Sequence, residues 1–469
     1  MRPWHGPHRS QVAEAHTART LTSSWILARC KGEYTRVTCH RACELVGKGD
    51  SSHAMTGSII LCDPREERLI MSERSVVWIL GAGFSRPLGG PLLKHFFSEG
   101  SREMLEATYL RTSYGELYGD LPFAVRQIYQ HGKKNAAWDN AEEFLDYVDT
   151  AASSGEAPAR ERIMMMLEEL SDPKYGDDAI IPGLQHRDHA TLLKINGTAR
   201  RLLAAECCAF LRKDSMRRER WQPFHFWASQ LSARDTVITF NYDMVVEQLL
   251  SREGNEVFQK PCSLATPLPS QLSNDGRAYA QLRLLKLHGS VNWRVTGAKD
   301  NETVSVGSVD SALTSSLTEI AITGPGPGKL ERANKLYAPL WDAATDAIRK
   351  ADAIVFVGYR FPPTDAFARR TLLDAIRATQ HTGLNAMLPS DPATARHVAV
   401  HTVLGPRLQD EDPVRLQAML KNVLEPPPPI HVDGAKKVPT FFSLHAHALY
   451  AEDFLTVVTR EKLFERETG

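Results

Sequence analysis

Four short apolar runs occur along the chain, and three of them are rich in β-branched residues. They cover residues 75–80, 236–240, 282–287 and 353–357, and each of them ends in a polar or glycine-containing turn. Runs of this length with few charges are typical of strands that are buried on both faces of a parallel sheet. Amphipathic stretches follow the second and the fourth run. Short strands that alternate with helices predict an α/β fold, with a Rossmann-like parallel sheet covered by helices on both faces.

Helical spacing dominates the region between the first two runs, from about residue 92 to residue 230. Residues 141–148 and 161–170 place their apolar side chains on one helix face, and residues 202–211 form a further helix candidate. Cys207 and Cys208, in the last of these, are expected to be buried thiols. The sequence therefore predicts a large helical insertion within the α/β fold.

The two ends of the chain differ in their patterns. Residues 1–70 mix Arg, His, Ser and Thr with little sustained periodicity. We expect them to form a poorly ordered N-terminal extension, with Met71 as a candidate for the native start. Residues 71–435 are predicted to form the main domain, and residues 436–469 are expected to add a strand and a helix that pack on it.

The balance of charge narrows the range of partners. Lys+Arg and Asp+Glu number 56 each among 469 residues, so no overall field attracts the chain to nucleic acid or to an anionic membrane. No apolar run reaches the roughly 20 residues that span a bilayer, and the N-terminus lacks the compact apolar core of a secretory signal. Seven scattered cysteines fit a reducing compartment. These features predict a cytoplasmic protein without membrane binding or specific nucleic-acid binding.

Cys39, His40 and Cys43, with Cys30 before them, are the candidate metal ligands. A tetrahedral zinc site would need a Cys-x-x-Cys pair to complete it, and the sequence has none. We therefore predict no metal and interpret these cysteines as free thiols.

A glycine turn, residues 81–85, follows the first apolar run directly. Glycine lets backbone amides approach a pyrophosphate because no Cβ blocks the approach, and the Ser85 hydroxyl is placed to donate to a phosphate or ribose oxygen. Arg86 stands where the strict G-x-G-x-x-G pattern has its last glycine. Residues 86–91 are too rich in Pro and Gly to start a helix at once, so we expect this loop to wrap over the ligand. Taken alone, the segment is equally compatible with a tight strand-to-helix turn.

Polar side chains also follow two later runs. Asn241 and Asp243 come after the second run and His288 after the third, at the carboxyl ends where parallel sheets place their ligands. Histidine at such a point is suited to general base catalysis or to polarising a ribose hydroxyl. Viewed singly, Asp243 is better explained as a helix N-cap, and a lone His is more often a packed or capping residue. With the glycine turn at residues 81–85, the chain has three such turns, and the three together favour a ligand site.

These turns resemble the motifs of SIR2-like (sirtuin-related) domains of bacterial proteins, many of which act in antiviral defence. The resemblance rests on residues 81–85 with Gly90 and Pro91 after them, and on residues 239–243, 286–290 and 357–365. The four elements occur in the order of the family and span residues 76–370, about two thirds of the chain.

The resemblance implies that the protein binds NAD. The residues that would line the phosphate and ribose site are Gly81, Ala82, Gly83 and Ser85. Gly358 and Tyr359 would sit where the later glycine motif of the family meets the adenosine half. Asp365 ends the same motif, and it is also placed to cap the helix that begins at Ala366.

The resemblance also implies catalytic roles. Asn241 and Asp243 match the sirtuin Asn-x-Asp, which holds the nicotinamide ribose and the attacking water. His288 matches the catalytic histidine, which activates a ribose hydroxyl in sirtuins.

Three departures argue against protein deacylation. The zinc ribbon of sirtuin deacylases is missing, their Gly-Ile-Pro-Asp-Phe-Arg stretch is replaced by residues 86–91, and Phe240 stands where they usually have Gln. The resemblance therefore implies an NAD glycohydrolase that uses water as the acceptor and acts as an anti-phage defence effector. A sensor that binds NAD or ADP-ribose with little catalysis is the alternative, and a deacylase or ADP-ribosyltransferase is the least favoured.

An enzyme that depletes NAD must be held inactive, which suggests a homo-oligomer or a partner protein of the defence system. The helical insertion is the expected place for such contacts. Residues 221–227 form an aromatic cluster that would suit an interface, although packing in the local core is the favoured explanation.

Overall fold

The computed structural model describes residues 25–30, 33–38, 74–153, 157–170, 188–213, 218–251, 263–272, 281–298, 301–324, 332–362, 365–385, 397–406, 411–424 and 441–465. The chain divides into two compact units, Met1–Ser72 and Glu73–Gly469. In the first unit, strands β1 (Trp25–Cys30) and β2 (Glu33–Thr38) pair in antiparallel fashion. The rest of the expected N-terminal extension, with Cys39, His40 and Cys43, lies outside the described residues, so that expectation stays a prediction.

A seven-stranded parallel sheet forms the centre of the second unit. Its strands are β3 (Val76–Leu80), β4 (Thr236–Thr239), β5 (Leu264–Ala265), β6 (Leu282–Lys286), β10 (Ala353–Val357), β11 (His397–Val403) and β12 (Phe441–His447). They follow the order β12-β11-β10-β3-β4-β6-β5, and every pair is parallel. The four apolar runs are the four central strands. The predicted α/β fold is confirmed.

Helices cover both faces of this sheet. Successive strand residues point to opposite faces, so the side chains of one strand contribute alternately to two cores. Val77 and Ile79 face a core with helices α10 (Ala338–Lys350), α11 (Ala366–Asn385) and α12 (Glu411–Leu424). Trp78 and Leu80 face the opposite core. The helices there are α1 (Ala82–Ser85), α7 (Gln222–Ser229), α8 (Val245–Leu250) and α13 (Ala451–Val457). Residues 221–227 contribute Trp221, Phe224 and Trp227 to this second core, so the local-core explanation for the aromatic cluster is confirmed.

The helical insertion separates β3 from β4, as predicted. It comprises α2 (Glu99–Glu106), α3 (Asp120–Lys134), α4 (Ala141–Ser153), α5 (Ala157–Leu170) and α6 (His189–Lys213). These helices share a third core with α9 (Val309–Thr314) and with the antiparallel sheet of β7 (Gly289–Thr296), β8 (Thr303–Val306) and β9 (Ile320–Ile322). Cys207 and Cys208 are buried free thiols, as expected.

Short 3-10 turns connect several of these elements. They lie at Arg86–Leu88, Leu93–His95, Gly115–Leu117, Glu219–Trp221, Pro269–Gln271 and Glu461–Phe464. Near the C-terminal end, β12 belongs to the main sheet and α13 packs in the second core. Among the helices that the structure describes, none has the length and apolar character needed to span a membrane.

Candidate active site at the carboxyl edge of the sheet

The four sequence motifs meet at one edge of the parallel sheet. The central strands lie in the order β10-β3-β4-β6, and each motif begins where one of these strands ends. From β3 the chain continues to β4 and β6 on one side, whereas β10, β11 and β12 extend the sheet on the other. The boundary between β3 and β10 is therefore a topological switch point, where open α/β sheets bind their ligands.

The glycine turn is held by the end of β10. Gly81 N donates to Val357 O at 3.0 Å, and Gly83 N donates to Gly358 O at 3.2 Å. A Cβ on Gly81 would lie 2.5 Å from Gly358 O, and one on Gly83 would lie 2.7 Å from Gly358 Cα. This contact requires glycine at both positions.

The loop after Gly81 differs from its predicted form. Helix α1 begins at Ala82 directly after the strand, and a 3-10 turn, Arg86–Leu88, continues it. The expectation that no helix starts at once is wrong because Gly81 itself occupies the N-cap position, with φ −122°. Pro87 is accepted within the first positions of the following 3-10 turn, where no amide hydrogen is needed.

A hydrogen-bond network joins the glycine turn to the Asn-x-Asp segment. Asn241 Nδ2 donates to Gly81 O at 2.9 Å and to Ser85 Oγ at 3.0 Å. The Ser85 hydroxyl in turn donates to Asp243 Oδ2 at 2.7 Å. Val245 N donates to Asp243 Oδ1 at 3.1 Å, so the carboxylate also binds the first amide of α8, whose N-cap residue is Met244. The two motifs form one network, in which the Ser85 hydroxyl bridges Asn241 and Asp243.

Lys286 also holds the Asn-x-Asp segment in place. Its side chain is fully buried at the end of β6, and its Nζ donates to Glu247 Oε1 at 2.9 Å. Nζ also donates to Tyr242 O at 3.3 Å and to Asp243 O. These three bonds use all the hydrogens of the ammonium group. The sequence motif contained Lys286, but its role became visible only when β4 and β6 were paired.

His288 lies where the chain leaves the parallel sheet for β7. Its imidazole is nearly buried and contacts Phe240 edge to face, with ring centroids 4.8 Å apart. The next residue, Gly289, has φ +84°, and a Cβ there would lie 1.9 Å from Ala321 O. Glycine is therefore required for the sharp turn that directs His288 to the sheet edge.

Phe240 and Tyr359 connect the Asn-x-Asp segment to the β10 motif. Their rings stack in parallel, with centroids 3.9 Å apart. The Tyr359 hydroxyl donates to Asp365 Oδ2 at 2.9 Å, and the same carboxylate oxygen lies 3.3 Å from His288 Nε2. Tyr359 is thus buried beneath the site. Sequence reasoning did not anticipate the stack, since each ring by itself resembles an ordinary core residue.

Burial shifts the pKa values of two side chains at this edge of the sheet. Burial raises the pKa of the Asp243 carboxyl, although Lys286 and the hydrogen bond from Ser85 act in the opposite direction. Burial also raises the pKa of the Tyr242 phenol well above its usual range, so this hydroxyl stays neutral and donates to Thr323 O at 2.9 Å.

The helical insertion supplies charged groups next to Tyr242. Arg200 of α6 pairs with Asp149 of α4, with Nη2 and Oδ1 2.6 Å apart. Burial, followed by repulsion from Arg332, lowers the pKa of Arg200. Tyr242 packs against the core of the insertion, and the charges of Glu142 and Arg200 act on its pKa in opposite directions, so the insertion borders the Asn-x-Asp segment. Their helical spacing predicted α4 and α6 but gave no sign of this neighbourhood.

A comparison with protein families identifies the family that this part of the chain resembles. Residues 235–402 match the SIR2-like domain family. The matched region runs from the start of β4 into β11 and contains Asn241, Asp243, His288 and Gly358, whereas the glycine turn precedes it. A search of curated proteins gave no match. The resemblance inferred from the motifs is thus confirmed for residues 235–402. Because SIR2-like domains bind NAD, the match indicates an NAD-related function.

Within the described part of the chain, no group of three or more His, Cys, Asp or Glu side chains could hold a metal ion. The candidate ligands around Cys39 lie outside the described residues.

Proposed function

We propose that this protein binds NAD and hydrolyses it to ADP-ribose and nicotinamide. The observation that supports this most is the convergence of Asn241, Asp243 and His288 on one sheet edge, inside the region that matches the SIR2-like family. The glycine turn adjoins them through the bonds of Asn241 to Gly81 and Ser85.

The proposed reaction breaks the bond between the nicotinamide nitrogen and C1′ of its ribose. Nicotinamide leaves with the bonding electron pair, and C1′ passes through an oxocarbenium-like state. The oxygen of a water molecule then bonds to C1′, and one proton is released. The site has to orient the ribose, stabilise the developing positive charge and place the water.

The three polar residues divide these tasks in the proposal. Both amide hydrogens of Asn241 are used on the glycine turn, which leaves Oδ1 as the acceptor that orients the water. Asp243, where ionised, stabilises positive charge at C1′ through space. His288 accepts a proton from a ribose hydroxyl. The phosphates and the ribose would be bordered by Gly81, Ala82, Gly83 and Ser85. Gly358 and Tyr359 would lie beneath these four residues.

Nicotinamide release from NAD by the purified full-length chain tests this function. We expect Asn241→Ala and His288→Ala each to lower kcat by about 100-fold or more, because the first removes the group that orients the water and the second removes the general base. Asn135→Ala and His189→Ala remove the same side-chain types at exposed positions of the insertion and should retain full activity.

A lack of turnover in the wild-type protein, with NAD binding intact by calorimetry and in the presence of candidate activators, would exclude the hydrolase. The sensor that binds NAD or ADP-ribose would then be the better description. Transfer of ADP-ribose to protein, or removal of an acyl group from lysine, would instead favour the least expected alternative.

We further propose that the activity serves anti-phage defence in the cytoplasm, under control of a homo-oligomer or a partner protein. Residues 71–435 would form the NAD-binding domain and residues 436–469 would complete its sheet. Expression in bacteria challenged with phage tests this: cellular NAD should fall in infected cells with the wild-type protein and remain constant with His288→Ala. Constant NAD in both strains would exclude the defence role for the phage used.

A further inference from the structure

Asp365 approaches the proposed catalytic histidine. Its Oδ2 lies 3.3 Å from His288 Nε2, and the side chains of both residues are at least nine tenths buried. Charges at this distance interact strongly when water is excluded. We propose that Asp365 is a positioning residue, which holds the His288 imidazole in one orientation and stabilises the imidazolium formed when His288 accepts a proton. This inference rests on the proposed function.

Asp365 is a carboxylate in direct contact with His288, and Glu142 is a second carboxylate, whose charge acts on the neighbouring Tyr242 and Tyr359. The aromatic groups that contact the imidazole are Phe240, Tyr242 and Trp341. Burial raises the pKa of the Tyr242 and Tyr359 phenols well above the usual range, so both remain neutral. The neutral rings clamp the imidazole by packing, and the Asp365 carboxylate supplies the charge in contact with it.

The loop from β10 to α11 is built to present Asp365. Gly358 has φ +66° and Phe361 has φ +50°, so two residues of this segment adopt the left-handed region. For a non-glycine residue such a backbone is strained and persists where its surroundings fix it. Phe361 is fully buried and packs on Tyr359, with ring centroids 5.0 Å apart.

Asp365 also occupies the N-cap position of α11, because its carbonyl accepts the Arg369 amide at 3.0 Å. A cap alone would explain an Asp here. Serine caps a helix about as well as aspartate but carries no charge. Replacement of Asp365 by Ser therefore separates the cap from the proposed positioning role.

The test uses Asp365→Asn and Asp365→Ser in the full-length chain, with Asp374→Asn as the control. Asp374 is an exposed carboxylate on the same helix, paired with Arg377 at 3.2 Å. Histidine side chains are labelled with ¹³C, and the His288 resonance is assigned by its loss in His288→Gln. The His288 pKa is then measured by NMR, and nicotinamide release is measured against pH.

We expect the His288 pKa to fall by about one unit or more in both Asp365 variants, since an opposite charge at this range shifts a pKa by about 1–3 units. Because His288 acts as the base, the acid limb of the pH profile should move to lower pH by the same amount. We expect kcat to fall about 100-fold, at the low end of what a general base contributes, with KM nearly constant. Asp365→Glu should recover part of the loss, and Asp374→Asn should match the wild type.

An unchanged His288 pKa in folded Asp365→Ser would overturn the proposal and leave the cap as the role of Asp365. Tyr359→Phe gives a second test even if the Asp365 variants do not fold. It removes the hydroxyl that donates to the carboxylate, so the His288 pKa should rise, and a constant or lower pKa would count against the proposal. If the wild type releases no nicotinamide, the hydrolase proposal fails while the NMR titration still decides the role of Asp365.

Discussion

Single residues determine how the Asn-x-Asp segment is held, and Lys286 is the most buried of them. Its ammonium group binds Glu247 and the carbonyls of Tyr242 and Asp243. We expect Lys286→Met to lower the free energy of unfolding by about 3–5 kcal/mol, because removing one partner leaves the carboxylate of Glu247 poorly compensated. Urea denaturation measures this loss.

Lys350→Met is the matched control for Lys286. Lys350 pairs with Asp346 at a similar distance, 2.8 Å, but its side chain is 73% exposed. Exposed pairs contribute about 0–1 kcal/mol, so this change should be nearly neutral. Equal losses in the two variants would show that Lys286 does not anchor the segment.

At the scale of elements, the contact between the glycine turn and the end of β10 makes a sharper prediction. A Cβ on Gly358 would lie 2.4 Å from Gly83 Cα and 2.5 Å from Phe84 N, at a backbone φ of +66°. Gly358→Ala should therefore lower the free energy of unfolding by more than the conformational cost of about 1–2 kcal/mol, so that Tm falls, and it should displace the turn. Thermal unfolding and nicotinamide release report the two effects.

Gly89 offers a control with the same kind of backbone. It has φ +101°, but a Cβ there would meet its nearest neighbour, Phe210 Cβ, at 3.5 Å, an ordinary contact distance. Gly89→Ala should show the conformational cost without the clash. If both variants lost the same stability, close approach would not be the reason for glycine at position 358.

The same contact shows how far the sequence could predict the structure. The four central strands were predictable because short apolar runs carry a local signal, and the helices of the insertion were predictable from their spacing. The partnership of Gly83 with Gly358, and of Phe240 with Tyr359, depends on strands that are adjacent in the sheet but distant along the chain. Periodicity contains no information on strand order, so these contacts and the approach of Asp365 to His288 emerged only from the fold.

At the scale of the whole molecule, a cluster of histidines fixes the C-terminal segment to the sheet edge. His401 Nδ1 lies 3.0 Å from His447 Nε2, and His401 Nε2 lies 3.0 Å from Leu463 O. The carbonyl accepts only, so Nε2 carries a proton and Nδ1 accepts from His447. His445 stacks on His401, with ring centroids 4.6 Å apart. Protonation of His401 would remove the acceptor and place a charge among three imidazoles.

This arrangement predicts a loss of stability in acid. Burial is the main reason that the pKa of His401 falls to about 3, and burial also lowers the pKa of His447. The unfolded chain binds protons near pH 6.5 whereas the folded chain does not, so stability falls as the pH drops below about 6.5. For each histidine that is charged only in the unfolded chain, the free energy of unfolding should change by up to about 1.4 kcal/mol per pH unit. Urea denaturation between about pH 5 and pH 7.5 measures it.

His401→Gln isolates the contribution of this cluster, because glutamine can still donate and accept hydrogen bonds but does not titrate. The acid slope should be shallower in this variant, whereas exposed His189→Gln should keep the wild-type slope. Burial raises the pKa of Asp243 and Glu206, which gives a slope of the opposite sign. Because those carboxyls are common to all three proteins, the difference between slopes measures the histidines alone. Parallel slopes in His401→Gln and the wild type would mean that the C-terminal segment is not held by neutral histidines.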